Sequence, residues 1–253
     1  MKIILITQDE PFYLNKSLKY LIENLPNYVE IVGCIVSDVS PFGKKESFIT
    51  KALNTLNIFG LPFSLRYAVK FLKSKLSRSS VKDLMKEKKI NIIELKKSIN
   101  SKDSLDILKQ LKPDLLISIA GNEIFKEDLI NLAPKGCLNL HTAMLPKYRG
   151  LMPTFWALKN KEKHIGVSIF FVDEGIDSGP IIFQEKVEVL NKTQEQLIIE
   201  TKKLGMIGII KSIELIASGS YELLKNDEKN MTYFSFPTRN DVKEFYNVGN
   251  KFF

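Results

Sequence analysis

The chain has 253 residues, of which 44% are hydrophobic and 26% are charged. This length allows one large domain, or one domain with a small appendage, and the composition is ordinary for a soluble globular protein. Only two cysteines occur, which excludes a disulfide-rich scaffold, and no uncharged apolar run reaches the roughly eighteen residues of a membrane span. The formal net charge is +8.

Strand-like and helical segments alternate in the first part of the chain. Lys2–Thr7 is a compact apolar strand, residues 14–22 carry apolar side chains at helical spacing, and Val29–Val36 reads as a second strand. This order predicts a βαβ unit and hence a parallel sheet. Because the first strand begins without a preceding leader, we expect no signal peptide and a cytoplasmic protein. Gln8–Pro11 replaces the Gly-rich turn of a conventional dinucleotide site, which argues against such a site.

The excess positive charge is concentrated at residues 44–89, where twelve basic residues face three acidic ones. Clustered cations attract an anionic partner such as a phosphate, a nucleic acid or a membrane surface, although a solvated lysine-rich face is the commoner outcome. Because residues 43–90 also interrupt the alternation of strands and helices, we interpret them as a basic helical insertion.

One helix of this insertion carries its apolar residues on a single face. They are Leu61, Leu65, Ala68, Val69, Leu72 and Leu76. Such a stripe most often packs against its own domain, but it also suits a partner protein or an anionic surface.

Beyond the insertion the alternation resumes. The predicted strands are Asn91–Leu95, Asp114–Ile119, the run at 137–141, and a pair at Ile165–Val172 and Ile181–Val189. The predicted helices are Ser104–Leu111, Phe125–Leu132, Pro153–Leu158 and a long helix from Thr193 through Ile216. The fold class is therefore α/β, with an open, Rossmann-like and mostly parallel sheet covered by helices on both faces.

We predict a domain at residues 1–218, which includes the insertion, and an aromatic tail at 219–253 that packs on this domain. Stacking of the tail on a substrate base is an alternative.

Polar side chains are concentrated in two motifs. Asn139 and His141 occupy alternate positions of a strand, so they project from the same face. About thirty residues later, the Gly-rich turn at 173–180 contains Asp177, which can partner a buried imidazole that is costly to desolvate. Each residue alone has a plain structural explanation, because a histidine at a strand end is usually structural and Gly/Asp clusters usually form turns. Only the joint pattern favours a catalytic site.

This joint pattern resembles the folate-dependent formyltransferase family, which includes glycinamide ribonucleotide, methionyl-tRNA and nucleotide-sugar N-formyltransferases. The family combines an Asn-x-His strand, a Leu-Pro-x-x-Arg/Lys-Gly loop and an Asp-x-Gly-x-Asp-x-Gly turn. The matching residues here are Asn139, His141, Leu145, Pro146, Arg149, Gly150, Asp173, Gly175, Asp177 and Gly179. The resemblance implies a formyltransferase-type fold and a one-carbon transferase that moves a formyl group to a primary amine.

The three polar residues suit this chemistry, in which a carbonyl oxygen becomes negative. Asn139 and protonated His141 can donate hydrogen bonds to that oxygen. Asp177 can stabilise the charged imidazole and can take the proton that leaves the amine. We therefore predict Asn139, His141 and Asp177 as catalytic residues, and we predict no metal site.

The resemblance also implies N10-formyltetrahydrofolate as co-substrate, with its pterin buried against two loops. The predicted contacts are Gly121, Asn122, Glu123, Ile124, Leu145, Val172, Asp173 and Glu174. Backbone groups at strand ends can recognise a flat heterocycle between apolar walls. For Ile124, Phe125 and Leu145 the plain alternative is core packing.

The acceptor is less well determined by the sequence. In the family, methionyl-tRNA enzymes add a C-terminal barrel, for which residues 219–253 are too short, although the basic insertion favours tRNA. Glycinamide ribonucleotide enzymes carry a phosphate loop where this chain has acidic residues. We expect a small primary amine such as a nucleotide-linked amino sugar, and a nucleic acid is possible but not favoured. A formyltetrahydrofolate hydrolase, which delivers formyl to water, and a non-catalytic binding protein are alternatives from other classes.

Overall fold

A computed structural model describes residues 1–39, 47–77 and 79–253. Residues 43–46 and Arg78 of the predicted insertion lie outside this described part. Its strands are β1 (Lys2–Gln8), β2 (Glu30–Ser37), β3 (Leu115–Ile119), β4 (Cys137–His141), β5 (Arg149–Gly150), β6 (His164–Phe171), β7 (Ile181–Glu188) and β8 (Tyr233–Phe234). Its helices are α1 (Leu14–Glu23), α2 (Phe48–Phe59), α3 (Leu61–Leu76), α4 (Val81–Glu87), α5 (Lys102–Gln110), α6 (Glu127–Ile130), α7 (Pro153–Lys159), α8 (Gln194–Ser218) and α9 (Arg239–Asn247).

The main sheet has six strands in the order β2-β1-β3-β4-β6-β7. The first four are mutually parallel, whereas β6 pairs antiparallel with β4 and with β7. Side chains alternate across β1, so Ile3 and Leu5 pack under α1, α4 and α8 while Ile4 and Ile6 pack under α5 and α6. The predicted fold class, a mostly parallel open sheet with helices on both faces, is confirmed.

Two predicted elements differ in the structure. Asn91–Leu95 is not a strand but makes a single bridge, Ile92 with Cys34, beside the edge strand β2. The predicted helix Phe125–Leu132 is reduced to the one-turn α6. Before it, the Asn100 side chain donates to the carbonyl of Ile124 and accepts from the N–H of Lys126, whose backbone is extended at φ −101° and ψ 164°. The helix therefore begins only at Glu127.

The tail contains the helix α9, whose beginning is fixed by a capping box between Thr238 and Asp241. Aromatic side chains of the tail contact the body of the protein, with Phe234 stacked on Trp156 and Phe252 buried beside Phe155. The boundary at residue 218 stays a prediction.

The apolar stripe of α3 does not pack against its own domain, so that expectation was wrong. Leu61, Leu65 and Leu72 are about three-fifths exposed, at 59%, 60% and 62%. The aromatic side of the helix is held instead, because Phe63 stacks on Phe59 and contacts Phe252. Aromatic rings offer more contact area than the leucines, which explains why this side faces the protein. Among the described residues, every helix is too short or too polar to span a bilayer.

The long helix α8 begins and ends where its caps predict. Thr193 and Gln196 form a capping box, and Gly219 adopts the left-handed conformation at φ 69°. Inside the helix, a Cβ at Gly208 would lie 2.6 Å from the Phe183 ring and 3.2 Å from Ile169. The absence of a side chain at Gly208 therefore lets α8 approach the sheet closely.

We expect Gly208→Val to lower the free energy of unfolding by roughly 1–3 kcal/mol, because the new side chain overpacks the helix–sheet contact. Urea denaturation measures this change. Lys203→Val, at an exposed position of the same helix, is the control and should cost less than about 1 kcal/mol. Equal losses in both variants would contradict the close-packing interpretation.

Candidate active site

A pocket of about 320 Å³ opens at the carboxyl edge of the sheet. The strand order reverses between β1 and β3, whose carboxyl ends line the pocket, and open α/β sheets bind ligands at such switch points. The ends of β1, β3 and β4 line it, together with the loop after β6 and one side chain of α8. The volume falls within the range of about 300–1,000 Å³ that is typical of small-molecule sites.

Asn139 and His141 both line this pocket, as their alternate positions on β4 require. Asn139 is partly exposed. Within the described part of the chain its side-chain amide has no hydrogen-bond partner. Its two N–H groups are therefore available to a ligand oxygen.

His141 is 7% exposed, and both of its ring nitrogens face protein oxygens. Nε2 donates to the backbone carbonyl of Tyr148 at 2.7 Å, because a carbonyl oxygen can only accept. Nδ1 lies 3.5 Å from Oδ2 of Asp177. A ring that carries hydrogens on both nitrogens can donate to both neighbours.

Asp177 reaches His141 from a strained turn, with its own φ at +50°. Its Oδ2 also accepts a hydrogen bond from the backbone N–H of Gly150 at 2.8 Å. The carboxylate therefore connects the end of β4 to the loop that follows it. The structure brings all three predicted catalytic residues to one pocket, and their catalytic roles stay a prediction.

The loop between β4 and α7 is shaped by unusual backbone conformations. Tyr148, Gly150 and Met152 all have positive φ, at +61°, +92° and +52°. In this loop Arg149–Gly150 form β5, which pairs with β8 of the tail. A side chain at Gly150 would collide with the carbonyl oxygen of Phe234, at 2.3 Å from its Cβ. Close pairing with the tail therefore requires glycine at this position.

Arg149 lies behind the pocket, not in it. It is 5% exposed, and its Nη2 donates to Oδ1 of Asn226 at 2.9 Å. The same Asn226 amide donates to the carbonyl oxygens of Asp177 and Gly179, at 2.9 and 3.0 Å. One tail residue thus holds both the arginine and the turn that carries Asp177, a connection that the sequence did not predict.

Most of the predicted folate contacts line the pocket, namely Gly121, Asn122, Glu123, Ile124, Val172 and Asp173. Leu145 does not, and its predicted place at the pocket wall was wrong. Its N–H and carbonyl are held by Ser168 and Gln184, so its side chain packs into the core beside Phe170. Glu174 is exposed beside the pocket and does not line it.

The pocket residues that the sequence analysis missed include Gln8 and Lys202. Gln8 ends β1, and the parallel alignment of β1 with β3 was a usable signal because carboxyl ends of parallel strands meet. Lys202 left no such signal, since the rotation of α8 about its axis decides whether it or Lys203 faces the pocket. Burial lowers the pKa of Lys202 below its usual value, and the nearby Glu10 carboxylate partly opposes this shift.

The fold and the pocket define an α/β protein with a cavity of small-molecule size at the carboxyl edge of its sheet. The family model described as formyl transferase matches residues 64–213, more than half of the chain. The chain therefore belongs to the formyl transferase family.

Known proteins of three kinds are similar to this chain. A methionyl-tRNA formyltransferase of Kosmotoga olearia is 35% identical over 197 residues, which are 77% of this chain and 61% of that protein. The chain thus spans less than two thirds of the length of this relative.

Two solved structures share the fold at low identity. An N-formyltransferase from Helicobacter canadensis, in complex with folinic acid and dTDP-3-aminofucose, is 18% identical with a TM-score of 0.59, covering 98% of this chain and 80% of that chain. A phosphoribosylglycinamide formyltransferase from Anaplasma phagocytophilum is 17% identical with a TM-score of 0.63, covering 94% and 99%.

We expect Asn226→Ala to lower the free energy of unfolding by roughly 1–3 kcal/mol, because a buried guanidinium and two carbonyls each lose a partner. Urea denaturation followed by circular dichroism measures this. Asn230→Ala is the matched control in the same segment, since Asn230 is exposed and its side chain bonds only Asp227. Indistinguishable midpoints for the two variants would remove Asn226 from the support of the site.

Proposed function

We propose that this protein transfers a formyl group from N10-formyltetrahydrofolate to a primary amine. The observation that carries the proposal is the convergence of Asn139, His141 and Asp177 on one pocket in a member of the formyl transferase family. An amide, an imidazole and a carboxylate supply hydrogen-bond donation and proton transfer without a metal or a covalent intermediate.

Asn139 is the donor that is ready to stabilise a developing negative oxygen, because its amide has no partner among the described residues and is fixed on a strand. His141 can join it once the Tyr148 carbonyl moves away from Nε2. Asp177 holds the ring through Nδ1 and accepts a proton from the acceptor amine, directly or through water.

The pocket suits the pterin end of the folate, which supplies the formyl group. The backbone of residues 120–124 and Val172–Asp173 offers hydrogen-bonding edges, and Phe125 and Phe170 provide apolar walls. The folinic acid in the Helicobacter canadensis structure supports this class of co-substrate.

The start of α1 does not suit an acceptor phosphate. The Glu10 carboxylate accepts hydrogen bonds from the backbone N–H groups of Phe12, Tyr13 and Leu14, at 2.8, 2.9 and 3.0 Å. A helix N-terminus attracts anions, and here the protein's own side chain takes that position. This argues against glycinamide ribonucleotide held by its phosphate after β1.

Lys202 is a candidate for the acceptor side of the pocket. It comes from α8, and Gln8 from β1, two elements that carry none of the predicted folate contacts. An anionic group of the acceptor would stabilise the buried ammonium and would be held by it.

A nucleotide-linked amino sugar satisfies these conditions, because it joins a small primary amine to phosphates. The dTDP-3-aminofucose in the Helicobacter canadensis structure supports this choice. Methionyl-tRNA is the second candidate, favoured by the 35% identity to the Kosmotoga olearia protein and by the basic residues at 44–89.

The experiment mixes the protein with N10-formyltetrahydrofolate and one acceptor at a time: a set of dTDP- and UDP-linked amino sugars, charged initiator methionyl-tRNA, and glycinamide ribonucleotide. Folate release and the formyl mass gain of the acceptor are followed together. Release that requires an amino sugar supports the proposal. Release with tRNA alone would select the second candidate, release without any amine would indicate a hydrolase, and no release would contradict enzymatic formyl transfer.

Asp177→Asn should lower kcat by about 10²–10⁴-fold, because the amide cannot take a proton. The asparagine oxygen can still accept from Gly150, so the loop should keep its conformation. Steady-state kinetics of folate release measure the loss. Asp106→Asn, on an exposed position of α5, is the control and should retain wild-type kcat. A near-normal rate for Asp177→Asn would remove the carboxylate from the mechanism.

Lys202→Met should raise KM for the acceptor by roughly tenfold or more, because a charged hydrogen bond to the anionic group is lost. The kcat should change little, and KM for the folate should be unaffected. Lys203→Met, on the exposed side of the same helix, serves as the control. A loss confined to kcat would instead assign Lys202 to the chemical step.

A further inference from the structure

We propose that the helical hairpin formed by α2 and α3 docks on an anionic lipid surface. The surface that carries this inference is its outer face, defined by apolar side chains of both helices that are exposed. They are Ile49, Leu53, Leu56, Leu61, Leu65, Val69, Leu72 and Leu76.

The outer face forms a continuous stripe on each helix. On α3 the apolar residues recur every three or four positions, which aligns them along one side. Their exposed fractions range from 53% at Val69 to 85% at Leu76. On α2, Ile49 and Leu53 are 70% and 61% exposed. So many exposed aliphatic residues on adjacent helices mark an interaction surface, whereas isolated ones would need no explanation.

The hairpin does not need the outer face to hold it to the protein. Its opposite side carries Phe59 and Phe63, which pack on Phe252. On that side Lys70 also pairs with Glu195 and donates to the Tyr13 hydroxyl at 2.7 Å. The outer aliphatic residues are therefore free for another role.

The charge of the hairpin indicates what this role is. Its two helices contain five basic residues and no acidic one. Apart from Lys70, the basic residues form no ion pair within the described part of the chain. They are Lys73, Lys75, Arg66, whose guanidinium lies over the Phe253 ring, and Lys51, whose ammonium donates to the Val39 carbonyl. Unneutralised cations beside an aliphatic stripe are typical of helices that lie in the plane of a membrane interface.

Other partners satisfy only half of this surface. A nucleic acid would pair with the cations, but bases stack on aromatic rings, and the outer face is aliphatic. A second copy of the chain would cover the leucines, but it would place two sets of uncompensated cations against each other. An anionic bilayer accepts the aliphatic side chains below its headgroups and the cations among its phosphates.

The experiment is a flotation assay with the full chain and extruded vesicles. Vesicles of phosphatidylcholine mixed with phosphatidylglycerol should carry the protein upward, and vesicles of phosphatidylcholine alone should not. High salt should weaken the binding, because screening removes the attraction to the headgroups. No flotation with the anionic vesicles would overturn the proposal.

Leu65→Glu and Leu72→Glu should each weaken vesicle binding by about tenfold or more, because a leucine that enters the lipid is replaced by a charge that anionic lipid repels. Both positions are exposed, so both variants should keep the wild-type circular dichroism. Ile199→Glu, at a 54% exposed position of α8, is the matched control and should bind normally.

Three outcomes would reassign the outer face. Unchanged flotation of the leucine variants would show that these side chains do not enter the lipid. A dimer in lipid-free solution that Leu65→Glu dissociates would assign the face to a second copy. Salt-sensitive binding of the protein to transfer RNA without any vesicle binding would assign the cations to a nucleic acid.

Discussion

The carboxylate of Asp177 is the point at which the candidate active site is held together. Its Oδ2 accepts from Gly150 and lies 3.5 Å from the His141 ring, while Asn226 binds the backbone carbonyl of the same residue. Three distant segments of the chain, β4 with its loop, the turn after β6, and the tail, therefore meet at one residue. A buried carboxylate is stable only when its hydrogen-bonding capacity is satisfied. The position of the proposed catalytic groups thus depends on the loop and the tail as much as on the sheet.

Hydrophobic periodicity and capping residues predicted those elements whose structure depends on neighbouring residues in the sequence. The capped helix α8, the antiparallel pair β6 and β7, and the shared face of Asn139 and His141 all follow from periodicity and cap chemistry. No local rule places residue 177 beside residue 141. Their proximity was predicted only from the resemblance to the family, which has two polar motifs at a similar spacing.

What the sequence did not predict depends on tertiary contacts. Asn226 bonds residues nearly fifty and eighty positions away, and nothing in its neighbours marks it. The sequence predicted Leu145 as a wall of the pocket. Hydrogen bonds from its backbone to Ser168 and Gln184 instead hold its side chain in the core. The apolar stripe of α3 was predicted to pack against the domain, but the opposite, aromatic side of the helix packs there and leaves the stripe exposed. In each case the contact is determined by residues that are distant in the sequence.

The Glu10 carboxylate occupies the position at the start of α1 that a ligand anion would take. The carboxylate satisfies three backbone N–H groups that would otherwise attract a free anion. The selectivity requires no steric block, only an internal competitor whose effective concentration no dissolved phosphate can match. Under the proposed function, a single residue after the first strand separates two modes of acceptor recognition, and its removal would expose the backbone N–H groups of Phe12, Tyr13 and Leu14 to an external anion.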